Sequence, residues 1–448
     1  MGDVMTSTLQ GIRDRISADF RGEGIVADYI PELSRADPRW CAVALVSQEG
    51  HSYQAGDADQ LFTLQSISKP FVYALALTDL GFDAVTSRVG AEPSGEAFNA
   101  ISLEPGTGRP ANPMINAGAM IATSLVRATG PAERFERIRQ CLSAFAGRPL
   151  SVDDAVFSSE METGDRNRAL AYLMRNAGSL RGSVEECVDV YFRQCALNAT
   201  TRDLAAMAAT LANGGVNPVT SVRVVDDRIA GHVLSVMATC GMYDFSGEWL
   251  LRVGLPAKSG VSGGIIAVSP GQFGISVFSP PLDAHGNSVR GTEILRELSS
   301  RFDLHLMHHP GRSAPAVYLS TTAAAIPSKR ERRREEREAL KADGDRIAIV
   351  AAQGDLEFAA AESLLFSIDH ALAHRAHAPE WLVLDLQRVT RLHPAAARML
   401  DGHLTHLLAH GVIVAVVQPS KRLLLPATNE FEELEEAIAW SEDALTDS

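Results

Sequence analysis

Apolar and polar positions along the chain follow two different rhythms, which meet near residue 310. In the first part, Cys41–Val46 is a short apolar run that reads as a strand, and the turn at Gly50 leads into a second strand, the pattern of a hairpin. Ile265–Val268 and Phe273–Phe278 form another such pair, joined at Pro270-Gly271. Between these flanks, from Pro113 to Thr239, the spacing is predominantly helical. A sheet built from both ends of a segment, with helices inserted between, is an α+β arrangement. One apolar run, Phe71–Leu77, is long enough for a buried helix, and Pro70 suits its first turn.

Beyond Met307–Gly311 come small residues and prolines, then the mixed charge run Lys329–Arg337, which reads as a solvated linker or an exposed helix. Strands and helices then alternate. Arg346–Gln353, Trp381–Leu386 and Val412–Val417 have strand character, while Leu356–Ala373, Ala395–Leu408 and Phe431–Trp440 have helical spacing. This predicts a small α/β domain of about 100 residues. The expected division is a first domain over 1–312, a linker over 313–344 and a second domain over 345–448. No repeat with a period of about 20–50 residues is present.

A length of 448 residues exceeds one ordinary core, which agrees with two domains. A hydrophobic share of 46% with 21% charged residues is that of folded protein. The net charge of −14 disfavours nonspecific binding to nucleic acid or anionic membrane, which needs clustered Lys and Arg. Met1–Phe20 carries scattered charges and no apolar stretch of the kind a secretory signal needs, and no apolar run is long enough to span a bilayer. The five cysteines are dispersed with no CxxC pair, so they read as reduced packing residues of a cytoplasmic protein.

Candidate chemistry concentrates at Gln65-Ser66-Ile67-Ser68-Lys69-Pro70, directly before the apolar helix. Residues three apart on a first helical turn share a face, so Ser66 and Lys69 can meet. A serine needs a base to become a nucleophile, and a lysine can serve when burial keeps it neutral. A helix N-terminus also directs N–H groups toward a developing oxyanion. An S-x-x-K tetrad alone is common by chance. Here it has a downstream partner, Lys258-Ser259-Gly260-Val261, in the order that serine β-lactamases and penicillin-binding proteins use. Asn112–Ala119, Phe157–Arg168, Tyr191–Cys195 and Cys240–Asp244 add amides, carboxylates and phenols. For each of these alone, a capping Asn or a core Tyr is the competing reading.

Taken together, Gln65–Lys69, Asn112–Gly118, Ser159-Glu160, Thr163–Arg168, Tyr191–Cys195 and Pro256–Gly264 resemble the signature blocks of bacterial and mitochondrial-type glutaminases, over roughly residues 20–305. The resemblance implies a β-lactamase-like catalytic domain, an antiparallel sheet with a helical subdomain, that hydrolyses L-glutamine to L-glutamate and ammonia through a glutamyl-serine ester. It implies Ser66 as nucleophile, Lys69 as general base, and the N–H groups of Ser66 and Val261 as oxyanion hole. Tyr243 would assist proton transfer, and Glu160 would face the substrate ammonium. Asn116, Asn167 and Tyr191 would hold its polar ends, with Tyr29 and Gln65 completing the pocket. No metal or organic cofactor is implied, and a homo-oligomer (dimer or tetramer) is expected. A glutamine zwitterion needs one anion and several neutral donors, which these residues supply.

Residues 345–445 resemble a STAS domain through Gly354–Ala361 and Val383–Leu392. Where phosphorylated members carry Asp-Ser-Ser-Gly, this chain has His393-Pro394-Ala395-Ala396, so no hydroxyl is available for phosphorylation there. Binding of a protein or a small ligand is the remaining role. Histidines at 370, 374, 377, 403, 406 and 410 have helical spacing and read as solvated faces, with metal binding as the competing reading. Two alternatives to glutamine hydrolysis stand: a β-lactamase or transpeptidase, and a non-catalytic sensor signalling through the second domain.

Overall fold

The first apolar run forms strand β1 (Ala42–Ser47), all of it buried. Gly50, at φ 82°, turns the chain into β2 (Ser52–Gly56), antiparallel to β1. From the far end of the same unit come β5 (Ala257–Ser259), β6 (Gly264–Ser269) and β7 (Phe273–Phe278), completing an antiparallel sheet of order β2-β1-β7-β6-β5. Val43, Leu45, Ile275 and Val277 pack with Leu9 and Ile12 of α1 (Gly2–Asp19) and with Ile294 and Leu298 of α12 (Val289–Phe302). Ala44 and Val46 instead meet Ala205 and Ala209 of α9 (Thr201–Ala212). With both faces covered, the strands read as continuous apolar runs and not as alternating ones. The α9 backbone presses on β7 so closely that a Cβ at Gly274 would lie 2.0 Å from the Ala209 nitrogen.

The computed structural model describes residues 2–95, 103–307, 315–373, 380–418 and 425–446. The chain forms two units, Met1–His308 and His309–Ser448. Between the sheet's two halves, the helical part of the first unit centres on α2 (Lys69–Leu80), whose residues 69–77 are all buried. Around it lie α4 (Asn116–Leu125), α5 (Pro131–Ala146), α8 (Val184–Cys195) and α10 (Asp227–Cys240). Phe71 of α2 meets Phe145 of α5 with ring centres 4.8 Å apart. The short helices α3 (Phe82–Thr86), α6 (Asp154–Thr163), α7 (Asp165–Asn176) and α11 (Ser246–Arg252) complete this part. A two-stranded ribbon, β3 (Phe62–Thr63) with β4 (Asn198–Ala199), holds the segment that enters α2.

The second unit is a five-stranded sheet of order β12-β11-β10-β9-β8. Here β9 (Ile347–Leu356), β10 (Trp381–Leu392), β11 (Ile413–Val417) and β12 (Asn429–Phe431) run parallel. The edge strand β8 (Val317–Thr322) is antiparallel to β9. Helices α14 (Phe358–Ala373) and α15 (Pro394–Ala409) cover one face, and α13 (Arg334–Asp343) and α16 (Leu434–Thr446) the other. The expected linker over 313–344 therefore needs correction. Its described part contributes β8 to the sheet and α13 to the layer over it. The small residues and prolines on either side of Val317–Thr322 hide β8 in the sequence, and Arg334 braces the charge run as a helix through Glu338, 3.0 Å away. The expected helix over Phe431–Trp440 likewise begins later, because Phe431 closes strand β12. His374 and His377 lie outside the described residues, while His403 sits 3.1 Å from Asp369. Among the described residues no helix is long and apolar enough to cross a membrane.

Candidate active site

Ser66 is placed by an unusual turn. The β3–β4 ribbon and a bond from Leu64 N to Leu197 O (2.8 Å) fix the approach. Gln65 then takes φ 49°, a left-handed conformation rare outside glycine and asparagine, before a 3₁₀ turn over Gln65–Ser68 runs into α2. Ser66 thereby faces a cavity of about 320 Å3 that is also lined by Tyr29, Gln65, Asn116, Glu160, Asn167 and Tyr191. A volume of that size suits a small molecule.

Lys69, the first residue of α2, is 1% exposed. Burial lowers its ammonium to about 7, against smaller raising effects from Cys195 and Glu160. Its Nζ donates to Asn116 Oδ1 (2.7 Å) and to Met114 O (3.2 Å), and not to the Ser66 hydroxyl. Asn116 opens α4 and organises the wall. Its Oδ1 also accepts from the Tyr191 hydroxyl (3.2 Å), which orients its Nδ2 toward Asn167 Oδ1 (2.9 Å).

The Ser66 hydroxyl has a different neighbour, Tyr243, which is held at φ 58° and 6% exposed. Burial pushes the Tyr243 phenol up, and the neighbouring Ser66 hydroxyl opposes that shift. Lys258 on β5 lies beneath the same ring, with Nζ 3.9 Å from its centre, and donates to Ser259 O (2.7 Å). Burial, and then the nearby Lys69, hold Lys258 well below the ordinary lysine range. The two lysines thus flank one tyrosine and disfavour each other's charge.

After β5 the turn Gly260–Gly263 leads to Val261. A Cβ at Gly260 would sit 2.9 Å from Leu64 O, so only glycine lets this turn approach the Ser66 segment. None of the described residues offers the Val261 N–H an acceptor.

Glu160, on α6, is 6% exposed, and its Oε2 has no partner among the described residues. Burial raises its carboxyl to about 8, while a hydrogen bond from Gln65 and the Lys69 charge pull in the other direction. Tyr29 is 51% exposed as a residue, yet its phenol oxygen lies inside, pushed up by burial and by Glu160.

The structure brings Tyr29, Gln65, Ser66, Asn116, Glu160, Asn167 and Tyr191 to one cavity, with Lys69 and Tyr243 packed behind it. Sequence reasoning missed five further wall residues: Ile30, Thr163, Gly164, Arg166 and Cys195. Cys195, taken as a packing cysteine, lies one helical turn after Tyr191, and that spacing was the available signal. All five cysteines are free.

A family model for glutaminase matches residues 24–307. Glutaminase 1 of Bradyrhizobium diazoefficiens is 45% identical over 433 residues, covering 94% of this chain and 70% of that relative. The glutaminase of Corynebacterium glutamicum is 44% identical over 419 residues, covering 93% of this chain and 94% of its own. Among solved structures, a crystal structure of Mglu is 41% identical with a TM-score of 0.78, covering 94% of this chain and 99% of its own. A probable glutaminase from Bacillus subtilis, in complex with 6-diazo-5-oxo-L-norleucine, is 33% identical with a TM-score of 0.62, covering 68% of this chain and 97% of its own. The similarity to the first three extends through both units. The chain belongs to the glutaminase family.

Proposed function

We infer that the glutaminase reaction of this chain, hydrolysis of L-glutamine to L-glutamate and ammonia, runs through a glutamyl ester on Ser66. The observation that carries this reading is the state of Lys69. A neutral lysine amine has two hydrogens and one lone pair. Two carbonyl acceptors, Met114 O and Asn116 Oδ1, take the two hydrogens, which leaves the lone pair as the remaining valence. Burial holds the group near 7, so the neutral form is populated at physiological pH.

In this mechanism Ser66 Oγ attacks the side-chain amide carbon, and its proton passes to Lys69, with Tyr243 beside the serine as an intermediary. The N–H groups of Ser66 and Val261 face the oxyanion. The proton then goes to the leaving nitrogen, and ammonia departs. Water attacks the ester, gives a proton to Lys69, and glutamate leaves as Ser66 recovers its hydrogen. Glu160 meets the substrate ammonium, and Asn116, Asn167, Tyr191, Tyr29 and Gln65 meet its other polar groups. Lys258, whose charged form is disfavoured by burial, lies beneath Tyr243 and supports that ring.

The same fold reading makes the first unit β-lactamase-like and the second STAS-like. Parallel strands with helices on both faces support the latter, as do the segments Gly354–Ala361 and Val383–Leu392. With His393–Ala396 at the start of α15, its role is to bind a protein or a small ligand.

Ammonia release from L-glutamine by wild type and by Ser66→Ala tests the mechanism. The expected loss is at least about 10⁴-fold. Retained turnover in Ser66→Ala would refute the ester. Turnover of a chromogenic β-lactam without ammonia from glutamine would move the assignment to the related acyl-enzymes.

A further inference from the structure

We propose that Ser68 and Gln194 are positioning residues, which aim the Ser66 N–H at the oxyanion by gripping the far end of the same peptide unit. This deepens the function proposed above and rests on it, because the Ser66 N–H is the donor assigned there. Neither side chain lines the cavity. Both are fully buried, as is Thr123. Three elements meet at this point behind the cavity wall. The Thr123 hydroxyl of α4 donates to Gln194 Oε1 on α8 (2.9 Å). Gln194 Nε2 donates to the Ser68 hydroxyl (3.1 Å), and that hydroxyl donates to Gln65 O (2.8 Å).

Valence fixes the order of donors. An amide nitrogen only donates and a carbonyl oxygen only accepts, so the Ser68 oxygen receives from Gln194 and its one hydrogen is directed to Gln65 O. A serine hydroxyl that bonds back three residues is common in a helical turn. Here a second buried side chain settles which way it points.

Gln65 O and Ser66 N belong to one peptide unit, which is planar with its C=O and N–H on opposite sides. Holding the oxygen therefore fixes the direction of the N–H, and a donor on that oxygen polarises the N–H as well. This peptide needs holding. Gln65, at φ 49°, lies in the left-handed region, where a residue with a side chain is strained, and relaxation would rotate the plane. The 3₁₀ turn over Gln65–Ser68 already draws Gln65 O toward the Ser68 backbone. The hydroxyl is thus a second clamp on one oxygen, and its loss misaims the N–H without removing it.

The test measures ammonia release from L-glutamine by wild type, Ser66→Ala, Ser68→Ala, Gln194→Met and the double variant Ser68→Ala/Gln194→Met. Ser68→Ala should lower kcat about tenfold, less than the roughly 10²–10³-fold that loss of a whole oxyanion donor costs. KM should stay within about twofold of wild type, since the substrate's own contacts are untouched. Gln194→Met keeps the length and loses the donor, and should lower kcat about threefold. Because both act through one bond, the double variant should match Ser68→Ala and not the product of the two losses. Thr123 retains Ala119 O at 2.9 Å, so the double variant leaves its hydroxyl paired and serves as the comparison if an orphaned Gln194 amide destabilises Ser68→Ala. A rise in KM at steady kcat, multiplicative losses, or kcat within about twofold of wild type in the double variant would overturn the proposal. Retained turnover in Ser66→Ala would sink the underlying ester reading. An inactive Ser66→Ala beside an unimpaired double variant would sink this proposal alone.

Discussion

Each unit buries ionisable side chains, but on opposite terms. In the second unit Glu442 is fully buried, and both of its oxygens are taken. Ser328 N donates at 2.9 Å, the Ser328 hydroxyl donates as well, and Arg332 lies 3.0 Å away. Arg332 in turn reaches Ala439 O at 3.1 Å and Asp443 at 2.8 Å. In the first unit Glu160, Lys69 and Lys258 are equally buried, yet Glu160 keeps an unpartnered oxygen and the lysines have no carboxylate bonded to them. Saturated burial holds a unit together. Unsaturated burial shifts protons and waits for a ligand, at the expense of stability.

The sharpest way to break this contrast is to remove Lys69. Lys69→Met should lower kcat by about 10³–10⁴-fold while leaving the melting temperature equal to or above wild type. An ammonia assay and a thermal melt on one preparation decide it, and a large drop in melting temperature would make Lys69 structural. The mirror experiment is Glu442→Ala, which leaves Arg332 without its buried partner. Denaturant unfolding should show a loss of about 3–5 kcal/mol in the second unit, with kcat on glutamine unchanged.

Glu160→Gln should raise KM by about 10–100-fold, the cost of losing one charged hydrogen bond to the substrate, without destabilising the fold. Its pH behaviour is more specific. Because the folded carboxyl is raised from an ordinary 4.5 to about 8, the folded state holds a proton that the unfolded state lacks between those values. Stability should therefore fall as pH rises through that window, by up to about 1.4 kcal/mol per unit from this group. Glu160→Gln should flatten that slope in chemical melts taken from pH 5 to 8. Last, kcat/KM should rise with pH from about 6 to about 8, since Lys69 near 7 and Glu160 near 8 must each lose a proton. In Glu160→Gln the upper of the two steps should vanish.

Much of this was legible in the sequence because it is local. The bounds of β7 were readable from Phe273–Phe278, and the Ser66–Lys69 spacing from a single helical turn. Other features depend on what arrives from elsewhere. Nothing in glutamine or tyrosine as residue types announces a positive φ, so the strained turns at Gln65 and Tyr243 were invisible. The engagement of Lys69 by Asn116 depends on where α4 packs against α2. Strand β8 went unread although Val317, Tyr318, Leu319 and two threonines favour a strand, because Val317–Thr322 is short, lies among small residues and prolines, and as an edge strand is mostly half-buried with no run of core residues. Gly164 carries no signal of its own, because what excludes a side chain there is the Phe192 ring, which arrives from α8.

The pairing of β1 with β7 sets a timetable for the ribosome. Ala42 lies opposite Phe278 in the sheet. At synthesis rates of about 5–20 residues per second, β1 emerges roughly 10–50 s before its partner. Throughout that interval the β1–β2 hairpin exposes one bare strand edge, while the helices between can already settle among themselves. The second unit has no such wait, since β9, β10 and β11 follow one another with a single helix between each. A nascent chain stalled before residue 273 should therefore be the form most in need of a chaperone.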